Sequence, residues 1–150
     1  LITASAGVSI GSGGTSNTLD DYEEGTWTAT VIGSGANPNA SLTTTGNYTK
    51  VGSYVTAFAN FSNLNSTGAT GAIRVSGLPY TASNISVNSG VMLYGRFSVP
   101  ANGFVHPYVA ANITEIRYYY SLSASAWGEV AHSAGAAFYL WCGVTYKTAA

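Results

Sequence analysis

Charge is what this sequence has least of. Five Lys and Arg side chains and six Asp and Glu side chains occur in 150 residues, so only 7% are charged, against roughly 25% in an ordinary soluble domain. The net charge of −1 offers no basic patch for nucleic acid or for an anionic membrane surface. We therefore expect no nucleic-acid partner and no electrostatic attachment to lipid.

Cysteine, histidine and long apolar runs are scarce as well. The single Cys142 excludes an internal disulfide and a cysteine-based zinc site, and its apolar surroundings indicate a buried, unreactive thiol. His106 and His132 have no second metal ligand at helix or strand spacing. No apolar run approaches the ~20 residues of a membrane-spanning helix, and no signal peptide pattern is present. We expect no membrane insertion, no metal and no other cofactor.

Short alternating segments rich in Thr, Tyr, Val and Gly indicate one all-β domain over residues 19–150. In the first strand, Trp27, Ala29 and Val31 share one face. In the third, both faces carry bulky groups, as expected for a strand covered on both sides. Turn signals separate the segments, which predicts an antiparallel β-sandwich that resembles a jelly roll. The predicted strands are 26–32, 47–51, 54–62, 72–75, 89–99, 104–110, 114–122 and 136–147.

The start of the chain differs from the rest. Residues 1–18 are mostly small and polar and have the composition of a flexible connector, so we interpret them as the end of an extended stalk. Four of the six acidic side chains then follow in five positions: Asp20, Asp21, Glu23 and Glu24. Their repulsion requires cations, backbone N–H groups or solvent nearby. The cluster is a solvated turn, a calcium site without the standard loop spacing, or a structural junction in which Tyr22 and Trp27 anchor the chain in apolar surroundings.

The stretch around this cluster resembles a known family. Residues 17–28, NTLDDYEEGTWT, are similar to the opening of a C-terminal module of bacteriophage tail fibre and tail spike proteins. YTKVG at 48–52, IRVSGLP at 73–79 and GVTY at 143–146 resemble later segments of that module, in the same order. The family commonly has proline where Ala29 stands, and the region between the last two segments shows no match. The resemblance implies an extracellular location on the virion and a role at the fibre tip. Together with the low charge, it also implies a homotrimer.

Aromatic residues are the clearest candidates for ligand binding. The chain has 11 Tyr and 3 Trp, and strand alternation puts Tyr118 and Tyr120 on one face and Tyr119 on the other. Exposed rings beside polar side chains provide platforms for sugar rings, whereas tyrosines turned inward simply pack the core. For a glycan of the host cell surface, the predicted contacts are Tyr118, Tyr119, Tyr120 and Trp127, with Asn112 and His106 as hydrogen-bond partners.

Three functions remain open at this point. The domain binds a host receptor, or it is a purely structural cap that closes a trimeric fibre, or it is a polysaccharide depolymerase. The third function requires a pair of carboxyl groups such as Glu115 and Glu129. No other catalytic motif occurs in the sequence, so we expect no enzyme activity.

Overall fold

Every regular element that the structure describes is a β-strand, which confirms the predicted all-β class. The computed structural model describes residues 8–9, 18–19, 21–85, 90–123, 126–133, 135 and 137–149. Within these ranges, no helix is long and apolar enough to cross a membrane. The strands are β1 (Val8–Ser9), β2 (Thr18–Leu19), β3 (Tyr22–Gly33), β4 (Leu42–Val51), β5 (Tyr54–Leu64), β6 (Ile73–Ser76), β7 (Gly90–Gly95), β8 (Phe104–Tyr108), β9 (Glu115–Ser121), β10 (Gly128–Glu129) and β11 (Phe138–Lys147).

Nine of these strands form one antiparallel sheet that nearly closes into a barrel. Its order is β10-β9-β6-β3-β4-β5-β11-β7, and β8 pairs with the other edge of β9. β7 and β8 approach each other across the remaining gap, where a Cβ added to Gly90 would lie 3.1 Å from the Cβ of Pro107. The predicted sandwich or jelly roll is not confirmed, because a single curled sheet encloses the core.

Little of the predicted stalk falls within the described residues. Val8–Ser9 pairs with Thr18–Leu19 in a separate two-stranded antiparallel sheet. The rest of residues 1–18, and the acidic residue Asp20, lie outside the described part of the chain. The interpretation of this segment as a stalk therefore stays a prediction.

The core lies inside the curled sheet. β3 contributes Trp27, Ala29 and Val31, all at most 5% exposed, which confirms the alternation predicted from the sequence. Tyr118 of β9 and Tyr146 of β11 are the largest fully buried side chains in the described residues. Burying each large apolar side chain stabilises the fold by roughly 1.5–3 kcal/mol, so strands far apart in the chain are held together by this common interior.

β5 does not have two covered faces, contrary to the expectation from its sequence. Its inward side chains, such as Val55 and Phe61, are buried, whereas Tyr54 and Phe58 on the outer face are 59% and 52% exposed. Among the residues that the structure describes, no second layer covers the outer side of this strand. The bulky outer residues are therefore surface residues.

β7 ends at Gly95, before the predicted strand end at residue 99. Arg96 takes a left-handed φ of 70°, which an extended strand does not accommodate. The chain then turns Phe97 into the core, where its ring stacks on Phe138 with centroids 5.1 Å apart. Burial of this aromatic ring outweighs the strand propensity of the segment.

Candidate functional site

A concave site rich in aromatic side chains lies on the outer face of β8 and β9. It is a hollow of about 310 Å³ lined by five side chains, which we call the aromatic cradle: His106, Tyr108, Tyr119, Ser121 and Trp127. Alternate residues of a strand point to the same side, so His106 and Tyr108 of β8 face outward together with Tyr119 and Ser121 of β9. The antiparallel register sets His106 directly opposite Tyr119.

Three aromatic rings give the cradle its shape. The Tyr119 ring meets Trp127 edge to face, with centroids 4.6 Å apart and planes at 72°. It also meets Tyr108 at 5.3 Å and 89°. These are favourable geometries for aromatic pairs, worth about 0.5–1.5 kcal/mol each beyond area burial. The contacts hold the rings at fixed angles while Trp127 stays 64% exposed.

Polar groups stand at the other side of the cradle. His106 Nε2 and Ser121 Oγ are 2.8 Å apart and share a hydrogen bond. Phe104 lies opposite Ser121 in the β8–β9 register and is exposed. The arrangement combines apolar ring surfaces with an imidazole and a hydroxyl, which is the combination that a ring-shaped, hydroxyl-rich ligand requires.

Three of the predicted contact residues come together in the cradle: His106, Tyr119 and Trp127. Sequence reasoning missed Tyr108 and Ser121. Each is two positions from a predicted residue on the same strand, so alternation combined with the β8–β9 hairpin register would have found both.

The other three predicted contact residues lie elsewhere. Tyr118 is fully buried, and Tyr120 is partly buried and packs against the core, which confirms the predicted division of the three consecutive tyrosines between two faces. Asn112 has a left-handed φ of 61° and lines a different hollow with Ser83 and Lys147. None of these three side chains forms part of the cradle.

A compact charged cluster lies beside the cradle on the outer face of β6, β9 and β10. Arg74 Nη2 is 3.2 Å from Glu129 Oε1, and Arg74 Nη1 is 3.6 Å from Glu115 Oε2. Arg117 Nε is 3.5 Å from the same oxygen of Glu115. The two glutamates suggested as a glycosidase pair therefore share one guanidinium. This arrangement is a network of ion pairs, with Glu129 next to Tyr119 in register.

The acidic stretch is held by neighbours from other strands. Asp21 forms an ion pair with Lys50, whose side chain is almost fully buried and whose Nζ lies 5.6 Å from the Tyr80 ring centroid. Glu23 accepts hydrogen bonds from the hydroxyls of Tyr48 and Tyr80. These two bonds lower the pKa of Glu23. The sequence predicted cations, backbone N–H groups or solvent as partners. Lys50 is such a cation, whereas the tyrosine hydroxyls were missed.

The two proposed anchor rings of the junction have different environments. Trp27 is buried and its Nε1 donates to the Phe58 carbonyl oxygen at 3.3 Å. Tyr22 is exposed and donates to Glu24, so the expectation that it sits in apolar surroundings is wrong. Among the residues that the structure describes, no group of three or more Asp, Glu, His or Cys side chains is arranged to hold a metal ion.

No family model and no curated protein matches this chain. The resemblance of residues 17–28 to the phage fibre module therefore stays a prediction from the sequence.

The remaining reactive groups are engaged inside the fold. His132 Nε2 lies 3.0 Å from the Ile32 carbonyl oxygen, and burial lowers the pKa of this histidine. Cys142 is buried, as predicted, with Sγ 3.5 Å from the Ala59 carbonyl oxygen. Burial raises the pKa of the thiol. Neither group is placed for chemistry at the surface.

Proposed function

We propose that this domain is the receptor-binding tip of a bacteriophage tail fibre, that it acts as a homotrimer on the virion, and that it binds a glycan of the host cell surface. The observation that carries this proposal is the aromatic cradle. It offers the exposed ring of Trp127 beside the partly buried rings of Tyr108 and Tyr119, on a chain with only 7% charged residues. The resemblance of residues 17–28 to the fibre module supports the location on the virion.

The chemistry of the cradle suits a sugar ring. Apolar C–H faces of a pyranose stack on the Trp127 and Tyr119 rings, while His106 and Ser121 supply hydrogen-bonding groups at its edge. The hollow of about 310 Å³ is at the small end of the range for ligand sites. Such a site takes one terminal ring of a glycan rather than a long segment of it.

A single cradle binds its sugar weakly, because a sugar gives up many hydrogen bonds to water on binding. Three cradles on one fibre and several fibres on one particle raise the effective affinity by a factor on the order of 10²–10⁴. The cradle itself has no carboxylate, guanidinium or ammonium group. Binding therefore changes little with salt, since screening acts on charge–charge attraction.

A structural cap is the second candidate function. It is favoured by the exposed apolar side chains on the outer face of β5, β11 and β7, which suit assembly better than sugar recognition. A cap requires no ligand at the cradle. In contrast, a depolymerase requires a proton donor, and both candidate glutamates are ion-paired to Arg74.

Binding to a glycan array separates these functions. We expect the parent chain to bind a restricted set of glycans and Trp127→Ala to lose at least tenfold in affinity, since an exposed aromatic anchor of this kind carries about 2 kcal/mol or more. Tyr22→Ala, which removes an exposed ring of β3 that does not line the cradle, is the matched control and retains binding. Equal binding by all three proteins, or binding by none, contradicts the proposal. Release of sugar from a bacterial polysaccharide supports the depolymerase instead.

A further inference from the structure

The outer face of β5, β11 and β7 exposes a group of large apolar side chains outside the cradle. Each is between 45% and 66% exposed. We call this group the apolar face: Phe58, Val91, Leu93, Tyr139 and Trp141.

Strand register makes these side chains contiguous. Trp141 of β11 is opposite Leu93 of β7, and Gly143 is flanked by Val91 on one side and Phe58 on the other. A Cβ at Gly143 would collide with the Phe58 ring, so this glycine lets the ring lie across the backbone of β11. A groove of about 350 Å³ runs beside Phe58 and Val91.

The apolar face is almost free of charge. Along the described outward positions of β5, β11 and β7, only Lys147 carries one, and it lies at the end of β11. The other outward positions hold residues such as Thr56, Asn60 and Thr145. Burying charges without partners is costly, and burying this face against a similarly uncharged surface avoids that cost.

The size of the apolar face suits an interface. With roughly 150–250 Å² per aromatic side chain, the five exposed residues present on the order of 500 Å² of apolar surface, which is at the upper end for a single patch on a monomer. Uncharged residues of β4 such as Asn47 and Thr49 extend the outer surface beyond β5. This extension enlarges the patch in the direction of the ~800 Å² that each partner buries in a stable complex.

We propose that the apolar face is the surface through which copies of this chain associate. The partner that packs on the apolar face is a second copy of the chain. An uncharged face with a central groove can pack around a symmetry axis against the equivalent apolar surfaces of neighbouring copies. Trp141 and Leu93 are the central contacts, in keeping with the enrichment of tryptophan at interface hot spots. The inference rests on the self-association in the proposed function but is independent of glycan binding.

Light scattering after size exclusion tests the proposal, with Leu93→Lys as the disrupting variant. The parent is expected at a multiple of 15.4 kDa, threefold for a trimer, and Leu93→Lys at 15.4 kDa. The matched control is Thr28→Lys, which adds the same charge at an exposed position of β3 and keeps the parent mass. If the parent and Leu93→Lys are both oligomeric, the apolar face is not the interface although assembly stands. If the parent is monomeric, both the self-association and this inference are overturned, while glycan binding is decided separately by the array.

Thiol labelling covers the case in which Leu93→Lys fails to fold. The native Cys142 is buried and reacts slowly in every variant. In the assembled protein, Val91→Cys is expected to react with a maleimide at least tenfold more slowly than Thr28→Cys. Equal labelling rates in an oligomeric sample overturn the proposal.

Discussion

Replacement of Trp27 by alanine is expected to destabilise the domain by about 3–5 kcal/mol. Trp27 is 5% exposed and its indole lies against Gly46, where an added Cβ would collide with it. The ring buries roughly 200 Å², which at about 25 cal/mol per Å² is worth about 5 kcal/mol. The substitution also leaves the Phe58 carbonyl oxygen without the Nε1 hydrogen bond at 3.3 Å.

Chemical and thermal unfolding followed by circular dichroism measures this loss. For a domain of this size, 3–5 kcal/mol corresponds to a fall in Tm of about 6–20 °C. Trp127→Ala is the matched control, since it removes the same side chain from an exposed site and is expected to cost only the edge-to-face contact with Tyr119, about 0.5–1.5 kcal/mol. All samples are compared at one protein concentration, because association stabilises the folded state. If Trp27→Ala melts within a degree or two of the parent, Trp27 does not anchor the start of the sheet.

Two further predictions concern pH. Hydrogen bonds from Tyr48 and Tyr80 lower the pKa of Glu23 from 4.5. The Glu23 carboxylate therefore stabilises the fold above that pH, and its contribution is lost as the pH falls through the lower folded-state pKa. In urea titrations below pH 4.5, the free energy of unfolding of Glu23→Gln is expected to fall less than that of the parent. Burial raises the pKa of Tyr146 from 10.0 to about 12, so its contribution is complete below pH 10 and is lost as pH rises towards 12. Tyr146→Phe, which loses the hydrogen bond to the Tyr80 carbonyl oxygen, is expected to be less stable than the parent at pH 7, with a gap that narrows as pH rises. An unchanged gap in either pair of titrations contradicts the corresponding assignment.

Local features of the fold were predictable because they depend on neighbouring residues. Alternation along β3 placed Trp27 and Val31 on one face, which the structure shows to be the buried one, and alternation along β9 separated Tyr119 from Tyr118. β7 was predicted too long because nothing in the sequence indicates the left-handed conformation of Arg96. In a regular strand, successive side chains point to opposite faces of the sheet. The face of each side chain is therefore predictable from the sequence wherever the backbone stays regular.

Features that depend on distant strands were not predictable from one sequence. The order of the sheet, and its near closure instead of a sandwich, follow from pairings such as β3 with β6 and β11 with β5. Glu23 meets Tyr80 across 57 positions of the chain. For the same reason the cradle was only partly predicted: His106, Tyr119 and Trp127 were named, but which residues join them depends on the register between strands.

Adsorption of the fluorescently labelled chain to a panel of bacterial strains is the most direct test of glycan recognition by the cradle. We predict that the parent and Tyr22→Ala adsorb equally to susceptible strains, that Trp127→Ala and Tyr119→Ala adsorb at least tenfold less, and that all four proteins have the same oligomeric mass. Adsorption of the parent is also expected to change little between low and high salt. Adsorption of both cradle variants at the level of the parent would contradict the account.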